Sequence, residues 1–290
     1  MQKIAVFLFL IVFSFNVKSQ ILPNEVSYGY PNGTLIAIGG GFEDHLIMEE
    51  FKKIAGGETA NIVVIPTGLG DEFLKQDSAF IKLRKYLKRY EIENFTFLHT
   101  RDSSQANDDE FIKPLKTATG IFFTGGSPWR HVDSYLNTKV QDEMFKLLDR
   151  GGVIAGTSRG GSILGSYLAR GDSKNDEKII GDHETGLGFF TNVAIDPHVL
   201  VRNRQFDMFD ILKKQQEILG IGIDENTAII VKGDTFEVIG TSYVLIYDKT
   251  FWSSQGLENK NIPEENCLFY FLKSGDKYNM NERKVVSNRK

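Results

Sequence analysis

The sequence has a single cysteine, Cys267, among its 290 residues, so it cannot form an intramolecular disulfide. This cysteine lies in an apolar, strand-like run (ENCLFYFL), where we expect a small buried hydrophobic residue. The five histidines, at positions 45, 99, 131, 183 and 198, are widely separated, and no cysteine and histidine cluster has the spacing of metal ligands. The sequence therefore predicts no disulfide framework and gives no case for zinc.

Positive charge is also scarce, because 34 lysine and arginine residues stand against 38 acidic ones, for a net charge of −4. Binding to nucleic acid depends on basic patches that neutralise phosphates. We therefore expect no nucleic-acid partner.

Long apolar segments are missing as well. The apolar run at 4–13 is shorter than the roughly 20 residues of a membrane-spanning helix. It follows Lys3 and precedes a small-residue segment ending at Ser19, which is the layout of a secretory signal peptide. Cleavage there would leave 271 residues starting at Gln20, with a net charge of −6. We predict a signal peptide at 1–19, a single domain at 20–290, and a secreted or periplasmic protein without stable membrane insertion after cleavage.

Short apolar runs typical of strands alternate with segments of helical periodicity. The runs lie at 33–41, 61–68, 94–100, 120–128 and 153–156, and the clearest helical patterns at 79–92 and 138–152. This alternation predicts an α/β fold with an open, mostly parallel sheet and helices on both faces. The segment 227–248 instead has strand after strand with tight turns, which predicts an antiparallel addition to the edge of that sheet.

The stretch GGVIAGTSRGGSILGS, residues 151–166, places Ser158 between Gly156 and Gly160 where a buried strand ends. The pattern G-x-S-x-G in this context is typical of a nucleophile elbow, in which the serine hydroxyl stands at the end of the sheet and a helix follows. We expect that helix over 160–169. The alternative is a tight glycine turn in which the serine caps the helix.

A serine nucleophile requires a base, usually an oriented histidine. His198 is the best candidate because it follows a strand-like run at its C-terminal end, where sites of open α/β sheets gather. The residues alone do not choose the acid that would orient it; the candidates are Asp172, Asp182, Asp224 and Glu225. The N–H groups of Gly125-Gly126 and of Arg159 could bind an oxyanion, although the glycine pair is also compatible with a plain turn.

Seven motifs occur in a characteristic order: IGGG (38–41), VVIPT (63–67), FFTGG (122–126), AGTS (155–158), GLGF (186–189), DPHVLVRNR (196–204) and GIGIDENTA (220–228). With these motifs the chain, from about Gly33 to Asp248, resembles the cyanophycinase and dipeptidase E family of serine peptidases. The resemblance implies a class I glutamine amidotransferase-like fold and a peptidase activity that needs no cofactor or metal.

The same resemblance implies roles for individual residues. Ser158 would be the nucleophile and His198 the base, with Gly126 and Arg159 as backbone oxyanion donors. The cyanophycinase branch would use Glu225 as the acid, and the dipeptidase branch Asp172. The close match of IDENTA to the cyanophycinase branch favours Glu225. Arg202 and Arg204 would belong to the substrate pocket.

Five positions depart from the family pattern. The elbow has an arginine at 159 where the family has alanine. Ser127-Pro128 and Pro197 replace residues, including two glutamines, that contact substrate, and Asp207 stands where a further arginine is expected. The hydrolytic residues are thus retained while the substrate-contacting ones differ, which counts against cyanophycin as the substrate. The side chain of Arg159 has two possible roles: an ion pair with Glu225, Asp196 or Asp172, or binding of a substrate carboxylate alongside Arg202 and Arg204.

The sequence thus predicts an exported serine hydrolase that cleaves peptide or isopeptide bonds beside aspartyl residues, including β-aspartyl bonds. The competing hypothesis is a binding protein that kept the fold and lost the chemistry. A cysteine-dependent amidotransferase is disfavoured because the nucleophile position holds serine. The sequence leaves open the exact substrate and whether the chain forms an oligomer.

Overall fold

The computed structural model describes residues 27–41, 45–250 and 268–286. The expected signal peptide and Cys267 lie outside this part of the chain. The strands are β1 Thr34–Ile38, β2 Ile62–Ile65, β3 Phe95–Phe97, β4 Gly120–Phe123, β5 Val153–Thr157, β6 Gly165–Tyr167, β7 Phe190–Pro197, β8 Leu219–Ile223, β9 Thr227–Lys232, β10 Thr235–Gly240, β11 Tyr243–Tyr247, β12 Tyr270–Lys273, β13 Lys277–Asn279 and β14 Lys284–Val285. The α-helices are α1 His45–Ile54, α2 Asp71–Leu74, α3 Asp77–Arg89, α4 Lys113–Thr117, α5 Pro128–Tyr135, α6 Lys139–Asp149, α7 Arg159–Ser162 and α8 Met208–Lys214.

The larger sheet has nine strands in the order β14-β13-β10-β9-β1-β5-β4-β2-β3. Strands β1, β5, β4, β2 and β3 are parallel to one another. Strands β9, β10, β13 and β14 extend the sheet in antiparallel fashion beyond β1. The predicted α/β fold with an antiparallel addition is confirmed, and the addition begins at Thr227.

A second sheet of five strands, in the order β12-β11-β8-β7-β6, was not predicted. The expectation that all of 227–248 extends the first sheet is wrong for its last part, because Tyr243–Tyr247 pairs with β8 in the second sheet. Strands of both sheets have the same local periodicity, so the sequence pattern does not reveal with which strand each one pairs.

The expected helix over 160–169 is also wrong beyond its first turn. The helix ends at Ser162, and Gly165–Tyr167 forms a strand beside β7. A Cβ atom at Gly165 would lie 2.6 Å from the carbonyl oxygen of Val193, so only glycine permits this approach of the two backbones. Strand pairing therefore overrides the local pattern of small residues.

The side chains of β1 alternate between two cores, as expected for a buried strand. Ile36 and Ile38 pack with α1 and α3 on one face of the larger sheet. Leu35 and Ala37 face a core that includes α5, α6 and the second sheet. The segments that follow β1, β4 and β5 of the larger sheet meet those that follow β7 and β8 of the second sheet. Ligands of open α/β sheets bind at such carboxyl ends of strands.

Candidate active site

Ser158 stands at a sharp turn between β5 and α7, with φ 56° and ψ −133°. A non-glycine residue with positive φ stores strain, which is common at active sites. Glycine is needed on both sides of the turn. A Cβ atom at Gly156 would lie 2.0 Å from the carbonyl oxygen of Gly160, and one at Gly160 would lie 2.5 Å from that of Thr124. The local geometry is that of the predicted elbow.

Ser158, His198 and Glu225 form a continuous chain of hydrogen bonds. Ser158 Oγ lies 2.7 Å from Nε2 of His198, and Nδ1 of His198 lies 2.6 Å from Oε1 of Glu225. His198 follows β7 with φ 57°, and its backbone N–H donates to the carbonyl oxygen of Gly39. Three segments that are distant in sequence thus place a hydroxyl, an imidazole and a carboxylate in line.

The other candidate acids have different partners. The carboxylate of Asp224 accepts hydrogen bonds from the backbone N–H groups of Leu200 and Val201 and from the hydroxyl of Ser242. It therefore holds the turn after His198 while its neighbour Glu225 contacts the imidazole.

Asp172 and Asp182 both serve a separate loop. Asp172 accepts from the backbone N–H groups of Lys174 and Asn175, and Asp182 accepts from the N–H and hydroxyl of Ser173. The position that the dipeptidase branch would use therefore stabilises its own loop instead.

Burial lowers the pKa of His198, and the nearby cation of Arg202 adds to that decrease, while the hydrogen bond to Glu225 opposes it. The net result is a pKa below the ordinary value for histidine. The imidazole is therefore neutral at neutral pH and able to accept a proton from Ser158.

Two other histidines, His131 and His183, have different environments. His131 is fully buried, and burial lowers its pKa to about 3. His183 lies between the carboxylates of Asp133 and Asp182. Neither arrangement presents a histidine to Ser158.

A cleft of about 470 Å³ opens above Ser158 and His198, and Gly125, Gly126 and Arg159 are part of its wall. The N–H of Arg159 starts helix α7 and so has no acceptor within that helix. Gly126 has φ 112°, and a Cβ atom there would lie 2.2 Å from the carbonyl oxygen of Gly68. The structure thus brings both sequence-predicted oxyanion donors beside the serine.

The side chain of Arg159 pairs with two acids that no motif in the sequence marks. Its Nη1 lies 2.8 Å from Oδ2 of Asp176, and its Nη2 lies 3.4 Å from Oε1 of Glu177. The expected partners Glu225, Asp196 and Asp172 are wrong. The loop that carries Asp176 and Glu177 is brought to the elbow by tertiary structure, so spacing along the chain gave no signal for it.

Glu177 also meets the two arginines predicted for the substrate pocket. Its carboxylate accepts a hydrogen bond from Arg204 and lies 3.6 Å from Nη1 of Arg202. The hydrogen bond from Arg204 lowers the pKa of Glu177. The side chain of Arg204 is 4% exposed, whereas that of Arg202 is 41% exposed. Of these two cations, only Arg202 is therefore open to a bound molecule.

A further buried arginine, Arg170, lies in no motif that would mark it in the sequence. Its guanidinium forms a fork with both carboxylate oxygens of Asp196, at 2.6 and 2.8 Å, and its Nη2 donates to Asp207 at 2.7 Å. Arg170 and Asp196 are 0% and 1% exposed. The aspartate at 207, which replaces an expected arginine, thus has an internal partner.

Two of the remaining departures from the family pattern, the prolines at 128 and 197, lie at the boundaries of regular elements. Pro128 is the first residue of α5, a position that suits proline because no helical N–H is lost there. Pro197 is the last residue of β7.

Within residues 27–41, 45–250 and 268–286, no group of three or more His, Cys, Asp and Glu residues is arranged to hold a metal ion. In the same ranges no helix has the length and apolar character needed to cross a membrane.

Comparison with known proteins agrees with this architecture. Peptidase family S51 matches residues 35–239. The cyanophycinase of Geminocystis herdmanii is 29% identical over 86% of this chain and 94% of its own length. That of Trichormus variabilis is 28% identical over 93% of this chain and 94% of its own.

Two solved structures share the fold. A peptidase from an acI-B1 Actinobacterium aligns with a TM-score of 0.62 and 23% identity, covering 87% of this chain and 98% of its own. A putative peptidase E from Listeria monocytogenes aligns with a TM-score of 0.52 and 16% identity, covering 72% and 99%.

The chain is a serine-type peptidase. It belongs to peptidase family S51, which confirms the expected cyanophycinase and dipeptidase E family.

Proposed function

We propose that Ser158, His198 and Glu225 form the catalytic triad of this peptidase. The observation that carries this proposal is the line of two short hydrogen bonds, 2.7 Å and 2.6 Å, from the serine hydroxyl through the imidazole to the carboxylate. A carboxylate in this position holds the imidazole in the productive tautomer and stabilises the imidazolium that forms during attack.

The reaction follows from this order. Ser158 Oγ attacks the scissile carbonyl carbon as Nε2 of His198 takes the hydroxyl proton. The oxyanion forms against the N–H groups of Gly126 and Arg159. The imidazolium then gives its proton to the departing amine and leaves an ester on Ser158. Water, deprotonated by His198, hydrolyses that ester and restores the serine.

The proposed substrate is a peptide or isopeptide with an aspartyl residue at the scissile bond, including the β-aspartyl form. The similarity to two cyanophycinases and the half-exposed Arg202 beside the cleft support this choice, since a guanidinium pairs well with a carboxylate. Substitutions at Ser127-Pro128, Pro197 and Asp207 argue for a substrate other than cyanophycin.

The test combines a fluorophosphonate probe with hydrolysis assays. Wild-type protein should be labelled and Ser158→Ala should not. Ser158→Ala and His198→Ala should each lose nearly all activity, because triad residues act as one unit. Their melting temperatures should stay close to that of the wild type. An active His198→Ala variant would refute the triad, and unlabelled wild-type protein would favour a binding protein that kept only the fold.

We also propose that the protein is exported. The apolar run at 4–13 and the small residue Ser19 support a cleaved signal peptide. N-terminal sequencing of protein from its native host should begin at or near Gln20. Recovery of intact Met1 from a cytoplasmic fraction would contradict export.

A further inference from the structure

The wall of the cleft is chemically divided. The described residues with charged side chains on it are the cations Lys82, Arg159 and Arg202, and of these Arg159 and Arg202 lie close enough to His198 to lower its pKa. Across the rest of the wall lie apolar and aromatic side chains, Leu69, Phe73, Leu83, Tyr86, Leu87 and Phe122. The proposed triad accounts for the polar part and leaves the apolar part without a role.

The apolar part is a defined surface rather than a set of chance contacts. Leu87 and Phe122 are almost completely buried, whereas Leu69, Phe73, Leu83 and Tyr86 are half-buried and line the space above them. The segment that carries Leu69 is fixed by Arg101, which donates to the carbonyl oxygen of Leu69 and to Asp71, each at 2.7 Å.

The apolar wall and the two arginines come from different elements. The segment from β2 through α3 and the end of β4 supplies the apolar side chains, whereas Arg159 and Arg202 follow β5 and β7. A substrate that places a carboxylate near Arg202 can therefore direct the residue on the other side of its scissile bond towards the apolar wall.

We propose that this wall, defined by Leu69, Phe73, Leu83, Tyr86, Leu87 and Phe122, is the subsite for a large apolar or aromatic residue on the amine side of the scissile bond. The substrate class is then an aspartyl-X peptide or isopeptide with X such as phenylalanine or leucine. Burial of such a side chain against apolar surface is favourable, whereas a cationic side chain would meet Lys82 and no carboxylate among the described lining residues. This inference rests on the proposed function.

The test measures kcat/KM for β-aspartyl-X dipeptides in which X is phenylalanine, leucine, alanine or arginine. Wild-type enzyme should prefer phenylalanine or leucine over alanine and arginine by at least about tenfold, within the 10–200-fold range that a small change in apolar contact produces. Leu83→Ala should reduce that preference several-fold. Ile81→Ala is the matched control, because Ile81 lies on the same helix and is 52% exposed; it should leave the preference unchanged.

A variant that adds a negative charge to the apolar wall provides a second test of the subsite. Leu83→Glu places a carboxylate on the wall and should raise the relative kcat/KM for X = arginine. If Leu83→Ala fails to fold, Phe73→Ala on α2 tests the same wall. Equal effects of Leu83→Ala and Ile81→Ala, or a wild-type preference for arginine, would overturn the subsite.

Fluorophosphonate labelling of Ser158 in every variant separates the two proposals. Labelled enzyme without an apolar preference means that the subsite is wrong and the triad stands. Loss of labelling in the wild type means that the proposed function itself has failed.

Discussion

Gly40 lies directly against the imidazole of His198: a Cβ atom at Gly40 would be 2.2 Å from Cε1 of that ring. Gly40 also has φ 106°, a backbone conformation that residues with a Cβ atom rarely adopt. The glycine-rich turn after β1 therefore sets the position of the imidazole from one side, while Glu225 sets it from another.

Gly40→Ala should accordingly displace the ring of His198 and lower kcat by at least about tenfold, since small displacements of a catalytic group are costly. Gly57→Ala is the matched control, because Gly57 also has positive φ (62°) but has no neighbour within 4 Å of the new methyl group. Both variants should lose some stability, and only Gly40→Ala should lose activity. Equal activity of the two would show that the contact with His198 is unimportant.

Glu225→Gln should lower kcat about a thousandfold or more, because the amide cannot hold the imidazole as the carboxylate does. Its melting temperature should change little, since Glu225 is one-third exposed. Asp224→Asn should show the opposite pattern, a lower melting temperature with a smaller loss of kcat, because Asp224 holds the turn at 200–201. Asp172→Asn should leave kcat nearly unchanged; a large loss there would favour the dipeptidase branch.

The pH dependence of kcat/KM should report the lowered pKa of His198. In the proposed mechanism activity requires the neutral imidazole, so the midpoint of the acidic limb should lie below about pH 6.5, the ordinary pKa of histidine. The cation of Arg202 disfavours protonation of His198, so Arg202→Gln should raise that pKa and move the acidic limb to higher pH. A small neutral acyl ester should be the substrate, so that carboxylate binding does not contribute. An unchanged limb in Arg202→Gln would contradict this assignment.

The ion pairs of Arg159 with Asp176 and Glu177 predict a structural contribution from its side chain. Arg159→Ala should lower the melting temperature and reduce hydrolysis of a neutral acyl ester and of acidic peptides by similar factors. Its backbone N–H would remain available to the oxyanion. A selective loss on acidic peptides of roughly 1–3 kcal/mol, with an unchanged melting temperature, would instead assign the side chain to substrate binding.

The buried pair of Arg170 and Asp196 predicts a large effect on stability. Arg170→Met would leave a carboxylate that is 1% exposed without its guanidinium, which should cost about 3–5 kcal/mol in the free energy of unfolding. The double variant Arg170→Met with Asp196→Leu should recover much of that loss, because neither charge then stays buried alone. Asp207→Asn removes the 40% exposed partner and should cost about 1 kcal/mol or less. Denaturant unfolding of the four proteins measures these differences.

The sequence by itself determined the features that local pattern encodes. Alternating apolar runs and helical periods defined the parallel strands, and glycines at 156 and 160 marked the turn at Ser158. The strand-like run before His198 also placed this residue at the end of a strand, although local pattern did not show that the strand, β7, belongs to the second sheet.

Only the tertiary structure decided which charged groups meet. Asp224 and Glu225 are adjacent in sequence, yet one caps a turn and the other contacts His198. Arg159 pairs with Asp176 and Glu177 because a loop that carries no periodic signal folds back over the elbow. Tertiary contacts likewise decided that strand β11 pairs with β8 and that the residues after Ser162 form a strand beside β7. The physical reason is common to all of these cases: hydrogen bonds and ion pairs depend on distances of a few ångströms between segments far apart along the chain, and local sequence patterns do not contain those distances.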